Sequence, residues 1–187
     1  MARFFQDLGA CIIDADRIGH ELIEPGRAAY SEVVQLFGKE ILAQDGSIDR
    51  GKLGARVFAH PEEMRTLNAA LHPRIITRVG ELARGNHARH PRGVVIVDAA
   101  LIFESGSEGT LRKVLVVWCR PEQQLERLMS KAGLSREEAE HRIAAQMPPE
   151  EKRRRADYVI DCSGSKERAR EQVEAIYPEL ERIVAEQ

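Results

Sequence analysis

The sequence predicts an α/β fold built on a parallel sheet. Short β-branched runs alternate with helical stretches along the chain, and three of the four runs stop at an aspartate. That alternation is the pattern of parallel strands joined by crossover helices. Its 187 residues amount to about one domain, enough to bury roughly two-thirds of the unfolded surface. Hydrophobic residues make up 43% and charged residues 31%, with a net charge of −2. This balance excludes bulk disorder, and a chain whose main task is to coat nucleic acid, which needs a basic excess.

The elements follow in order. Phe4 to Gly9 reads as a helix of barely two turns, closed by glycine, with no strand before it. Ala10-Cys11-Ile12-Ile13 is the first strand, ending at Asp14. Pro61 to about Ala88 is helical, with Met64, Leu67, Leu71, Ile75, Val79 and Leu82 at three- and four-residue spacing. Pro73 inside it predicts a kink or a split. Val94-Val95-Ile96-Val97 is the second strand, ending at Asp98, and Val114 to Trp118 is the third. Pro121 to Ala132 opens a helix with proline at its first position. Ser135 and Glu138 form a capping-box pattern for the next helix. Tyr158-Val159-Ile160, ending at Asp161, is the weakest strand. A long amphipathic helix from Ser165 to about Val184 closes the chain, with Val173, Ile176, Leu180 and Ile183 as its stripe. The strand runs, β-branched and bounded by polar residues, read as buried.

No apolar run approaches the roughly 18–20 residues of a membrane helix, and the N-terminus lacks the apolar stretch of a signal peptide. Cys11, Cys119 and Cys162 are an odd, widely spaced set. They read as reduced thiols of a cytoplasmic protein rather than a disulfide or zinc framework. His87 and His90, in the polar stretch Arg84 to Arg92, read as solvated, and Lys152-Arg153-Arg154-Arg155 as a solvated helix face.

Ligands of open α/β sheets bind beyond the C-terminal ends of the strands, so the strand-end carboxylates are candidate chemistry, with helix capping as the alternative. Asp14 and Asp16, as an i, i+2 pair on a strand end, can project to one side. One can accept a hydroxyl proton, or the pair can hold Mg²⁺ through water. Asp98 and Glu104 could line a pocket after the second strand, or form a turn into a helix. Arg127, Lys131, Arg136, His141 and Arg142 flank the Gly133-Leu134 break between two helices. Arginines so placed suit a phosphate clamp, or a solvated hairpin with i, i+4 ion pairs. His72 beside Pro73 reads as a packed or capping histidine.

Taken together, the chain resembles the dephospho-coenzyme A kinase family over nearly its whole length. The resemblance runs through Phe4-Phe5-x-x-Leu8-Gly9-Ala10, Ile13-Asp14-Ala15-Asp16, Asp45-Gly46-x-Ile48-Asp49-Arg50 and Leu71-His72-Pro73. It continues through Leu101-Ile102-Phe103-Glu104, Gly133-Leu134-Ser135, Ala145-Gln146-Met147 and Ala156-Asp157-x-Val159-Ile160-Asp161. It implies a P-loop NTPase-like three-layer sandwich with a parallel sheet. The core would span about 1–22, 93–130 and 156–187, the helical coenzyme A-binding part about 23–92, and a lid about 131–150. The implied reaction moves the γ-phosphate of ATP, with Mg²⁺, to the ribose 3′-hydroxyl of dephospho-CoA, the last step of coenzyme A synthesis. By the same resemblance Asp16 is the base, Asp14 supports it, and His72, Asp98, Leu101 and Glu104 shape the acceptor pocket. Arg127, Arg142 and Lys131 meet ATP phosphates, and Ser163-Gly164 lies beside the adenine. ATP and dephospho-CoA are thus the expected partners, with neither nucleic acid nor membrane among them.

The chain departs from that pattern. Lys131-Ala132 stands where arginine-aspartate is usual, Ala100 where proline is, and Cys162 where asparagine is. No Gly-x-x-x-x-Gly-Lys-[Ser/Thr] stretch occurs. The expectation is a chain whose first strand and P-loop are missing before Phe4, with weak kinase activity and marginal stability or self-association. Two alternatives stand beside this one: a non-catalytic relic that still binds a coenzyme A-type ligand, and a haloacid-dehalogenase-like phosphatase using Asp14 and Asp16.

Overall fold

The computed structural model describes residues 1–186, a mixed α/β arrangement with parallel strands. Nine α-helices lie among the described residues: α1 (Ala2–Asp7), α2 (Ala15–Leu22), α3 (Tyr30–Phe37), α4 (Arg50–Ala59), α5 (Pro61–Arg89), α6 (Pro121–Ala132), α7 (Arg136–Ala144), α8 (Pro149–Arg155) and α9 (Lys166–Ala185). The strands are β1 (Cys11–Asp14), β2 (Val95–Asp98), β3 (Leu115–Trp118) and β4 (Tyr158–Asp161). All four fall within one residue of the apolar runs that predict them. The described residues divide into two compact units: one formed by Met1–Ile12, Gly85–Ile96 and Leu101 onward, the other by Ile13–Arg84 with Val97–Ala100.

In the first unit, α9 supplies one wall of the core. Ala169, Val173, Tyr177 and Leu180 recur at three- and four-residue spacing and are buried with Phe5, Ala10, Val94 and Ile160. Ile176 and Ile183 of the expected stripe pack at its margin. Gly9, at φ 101°, lets the chain leave α1 and enter β1. β3 and β4 pair in parallel, Leu115 opposite Tyr158 through Trp118 opposite Asp161. Asp157 fixes the start of that register: its carboxylate accepts from Lys113 Nζ and from the Val114 N–H, both at 2.8 Å. Tyr158 Oη donates to Glu179 at 2.6 Å, and that acceptor pushes the phenol up to about 12.

The strands differ from expectation in two ways. They form two separate two-stranded ladders, β1 with β2 and β3 with β4, rather than one sheet. They are also half-buried rather than buried, and Val117 is 48% exposed. The reason is geometric. Side chains alternate across a strand, and the first unit's core covers one face while Val117 points from the other.

The second unit has its own core: Ile23, Ala29, Val33, Phe37, Ile41, Ile48, Leu53, Val57 and Leu67. Asp49 caps α4 by accepting from the N–H groups of Gly51 (2.9 Å) and Lys52 (3.1 Å). Arg56 forks onto Glu63 at 2.6 and 2.8 Å and donates to the Phe37 carbonyl at 2.7 Å, joining α4, α5 and the end of α3. Helix α5 is not split at Pro73. Proline deletes one ladder bond, while buried Leu67 and Ala70 hold the preceding turns. After it, Thr77 Oγ1 donates to the Pro73 carbonyl at 2.9 Å. Ile75 approaches Gly19 so closely that a Cβ there would lie 3.3 Å from its Cδ1.

Phe37 is a buried aromatic of this second core, 2% exposed. Phe37→Ala is expected to cost about 3–5 kcal/mol, read as a lowered urea midpoint. A loss under about 1 kcal/mol would show that the α3–α4 packing is not cooperative with the rest of the unit.

Candidate active site

In the second unit the site begins with a cap. Asp14, the last residue of β1, accepts the Arg17 N–H at 2.8 Å and so starts α2. Asp16 therefore sits in the first helical turn. This corrects the expected strand-end pair: the two carboxylates are placed by a cap, not by strand alternation. Ala15, Ile18 and Gly19 are buried and fix the face that α2 turns inward. Asp16 keeps contact with solvent, yet surrounding protein desolvates it and raises its pKa. The charges of Asp14 and Asp98 push the same way, while His20 and a hydrogen bond from the Ala100 backbone N–H oppose them. Asp98 ends β2, so three carboxylates share one neighbourhood.

His20, one turn beyond Asp16, meets Arg50 at 3.2 Å through Nδ1. Arginine only donates, so Nδ1 accepts and a neutral His20 carries its proton on Nε2. Sequence reasoning missed this pair. The available signal was Asp49, a cap that places Arg50 in the first turn of α4. His72 lies on α5, half-buried, and burial lowers its pKa, favouring a neutral imidazole. The arrangement offers a carboxylate with enhanced basicity beside further carboxylates, suited to taking a proton from a hydroxyl.

In the first unit the candidate residues gather on loops and helix ends. Arg127 on α6 donates through Nη2 to the Cys162 carbonyl at 2.9 Å. With Glu126, Ser130 and Lys131 it lines an open groove. The next loop is held by its backbone and by neighbours that sequence reasoning also missed. The Ser163 N–H donates to Asp161 at 2.8 Å, Ser163 Oγ accepts from the Arg120 N–H at 3.1 Å, and its carbonyl accepts from Gln123 Nε2 at 3.0 Å. Gly164 follows, exposed beside Arg168. Helix α6 ends at Gly133 in the left-handed region, φ 63°, and the predicted capping box opens α7. The Glu138 N–H donates to Ser135 Oγ (3.2 Å), and Glu138 accepts the Ser135 N–H (2.8 Å). Arg142 is on α7, half-buried, and α7 packs on α6. Leu101 and Glu104 lie on the loop after β2. Glu104 is not open there: it accepts the Met147 N–H at 2.8 Å and pairs with Lys152 at 2.7 Å.

The charged run of α8 is largely neutralised in place. Arg154 and Arg155 both pair with Glu151, Arg153 pairs with Glu150, and Arg153 also lies over the Trp118 ring at 4.7 Å.

The chain is similar in sequence and in fold to known proteins. The family model CoaE, dephospho-CoA kinase, matches residues 1–168. A dephospho-CoA kinase of Carboxydothermus hydrogenoformans is 43% identical over 175 residues, covering 92% of this chain and 84% of that protein. One from Symbiobacterium thermophilum is 42% identical over 177 residues, covering 95% and 74%. Among solved structures, a crystal structure from Thermus thermophilus superposes with TM-score 0.76 at 34% identity, covering 96% of this chain and 89% of that one. The dephospho-CoA kinase of Campylobacter jejuni superposes with TM-score 0.64 at 29% identity, covering 96% and 91%.

Two variants test the electrostatics of Asp16. Ala100→Pro removes the N–H that Asp16 accepts, so its carboxyl should titrate higher by side-chain NMR; an unchanged midpoint refutes that bond. Because the folded pKa is raised, the stability Asp16 contributes is full below its ordinary value of about 3.8 and is lost as pH rises through the folded value. Asp16→Asn should therefore stabilise the protein at pH 7, by a few tenths of a kcal/mol on the order expected for a screened surface charge. That gain should shrink toward pH 3 in parallel denaturation curves.

Proposed function

The chain belongs to the dephospho-CoA kinase family, and from that premise we propose how its residues divide the reaction and how well this polypeptide performs it. The substrates are MgATP and dephospho-CoA, and the transfer is of the γ-phosphate to the ribose 3′-hydroxyl, in the cytoplasm. The observation that carries the reading is Asp16, a carboxylate of raised pKa beside Asp14 and Asp98. Asp16 takes the hydroxyl proton as the new P–O bond forms. Asp14 serves by capping α2, and Asp98 by adding negative charge that strengthens the base. His72, with Leu101 and the loop carrying Glu104, shapes the acceptor side.

Arg127, Arg142 and Lys131 supply positive charge for the phosphates, the larger part of catalysis in phosphoryl transfer. Ser163 and Gly164 lie beside the adenine; the Arg120 and Gln123 contacts that hold Ser163 support this reading. Mg²⁺ arrives with ATP and neutralises phosphate charge. The helical part at about 23–92 holds the coenzyme A moiety, and about 131–150 acts as the lid.

The 187 residues contain no Gly-x-x-x-x-Gly-Lys-[Ser/Thr] stretch, the loop whose N–H groups cradle phosphates. This favours a second reading of the same site, in which the chain binds acceptor but turns it over poorly. The phosphatase alternative fits less well. One oxygen of Asp14 is committed to the α2 cap, which suits a structural carboxylate better than a nucleophile.

Calorimetry and a mass-based transfer assay on the whole chain test both points. Dephospho-CoA should bind without nucleotide, and transfer should fall far below the roughly 1–100 s⁻¹ usual for kinases. Asp16→Asn should lower residual transfer by about 10²–10⁴-fold and leave acceptor binding intact. Absence of acceptor binding would sink the family reaction for this chain, and ordinary turnover would sink the impairment.

A further inference from the structure

Glu104 does more than its place in the acceptor loop predicts. Both of its strong contacts use Oε1: the Met147 N–H donates at 2.8 Å and Lys152 Nζ lies at 2.7 Å. The ion pair is well shielded, with side-chain exposures of 20% for Glu104 and 15% for Lys152. Lys152 also reaches Gln146 Oε1 at 3.4 Å. These residues bracket the turn that joins α7 to α8, five residues beyond Arg142.

Each side of this contact is rigid by itself. In the loop after β2, the Ile102 carbonyl accepts from the Ser107 N–H, Ser105 Oγ and Ser107 Oγ at 3.0–3.2 Å. Phe103 is buried, and Gly106 closes the turn at φ 67°. Across from it, α8 is fixed to β3: Trp118 Nε1 donates to Glu150 at 2.9 Å and Arg153 covers the indole. Arg155 lies 5.9 Å from the centre of the Phe103 ring. Helix α7 packs on α6 and buries Ala139. At one end stands Gly133, a left-handed residue with no side chain in the way; at the other stands the turn held by Glu104.

We propose that Glu104 is a positioning residue that pins the C-terminal end of α7 to the acceptor loop and so sets where Arg142 stands. This rests on the kinase reading for the role of Arg142, but the pinning itself does not. Glu104 then acts through the Met147 N–H rather than by touching acceptor.

Amide hydrogen exchange on the whole chain tests it, with Glu104→Ala, Glu104→Gln and Lys152→Met. Glu104→Ala should speed exchange of the 142–147 amides at least tenfold. Glu104→Gln, which keeps an oxygen for the Met147 N–H, should restore most of that protection, and Lys152→Met should keep it. The emission of Trp118, the sole tryptophan, should stay unchanged in all three, because α8 holds its place; a general loosening would shift it. Lys152→Met should leave dephospho-CoA affinity within threefold of wild type.

Unchanged protection at Met147 in Glu104→Ala overturns the proposal. So does a tenfold loss of acceptor affinity in both Glu104 variants with protection intact, which would make Glu104 a substrate contact. If Glu104→Ala does not fold, Glu104→Gln decides with Lys152→Met: equal, large losses of Met147 protection in both overturn it. If the wild-type chain binds no dephospho-CoA, the kinase reading fails while the exchange pattern still decides the pinning.

Discussion

Where β1 becomes α2, one carboxylate accepts one N–H: Asp14 and Arg17, 2.8 Å apart. Four N–H groups at a helix start lack partners inside the helix, and a side-chain cap of this kind is worth about 1 kcal/mol. The energy is modest, but the geometry it imposes is not. With Asp14 at the cap, Ala15 and Ile18 fall on the buried face, and Gly19 meets Ile75 of α5 closely enough that a Cβ there would lie 3.3 Å from Ile75 Cδ1. Those contacts leave Asp16 in the first turn of the helix, beside Asp98 and His20. The raised pKa of Asp16 is thus a consequence of how the strand hands over to the helix.

The same device recurs in the first unit with a different result. Asp161 ends β4 and accepts the Ser163 N–H, which holds its carboxyl below the usual range. There the strand-end aspartate shapes a loop and stays charged; at Asp16, desolvation and like charges raise the affinity for a proton. Two aspartates near strand ends therefore have opposite electrostatics, because one receives donors while the other is desolvated beside like charges.

The four strands were legible because their apolar, β-branched runs are short and sharply bounded. Helices α6 and α7 were legible because Pro121, Gly133 and the Ser135–Glu138 box are local signals. What escaped depends on contacts across long stretches of chain. Nothing near Val117 reveals that its ladder has only two strands, and nothing near Glu104 points to Met147, 43 residues away. Pro73 misled for a related reason: the local rule counts the lost hydrogen bond, while the packing of Leu67, Ala70 and Ile75 on either side decides the outcome. Asp14 and Asp16 were picked correctly as neighbours and wrongly as strand partners, since alternation says nothing of where a strand ends.

The departures from the family pattern can be sorted by which atoms act at each position. At 162 the backbone acts: the Cys162 N–H donates to the Trp118 carbonyl at 2.7 Å, and its own carbonyl accepts from Arg127. A cysteine makes those bonds as well as an asparagine does, so the loop before Ser163 keeps its shape. At 131 the side chain lines the open groove, and lysine retains charge while lacking the planar fork that grips two oxygens at once. At 100 the backbone acts again, with the opposite consequence. Alanine has an N–H and proline has none, and that N–H goes to Asp16. The departure at 100 is therefore the one wired to the proposed base, lowering its proton affinity against the pull of Asp14 and Asp98.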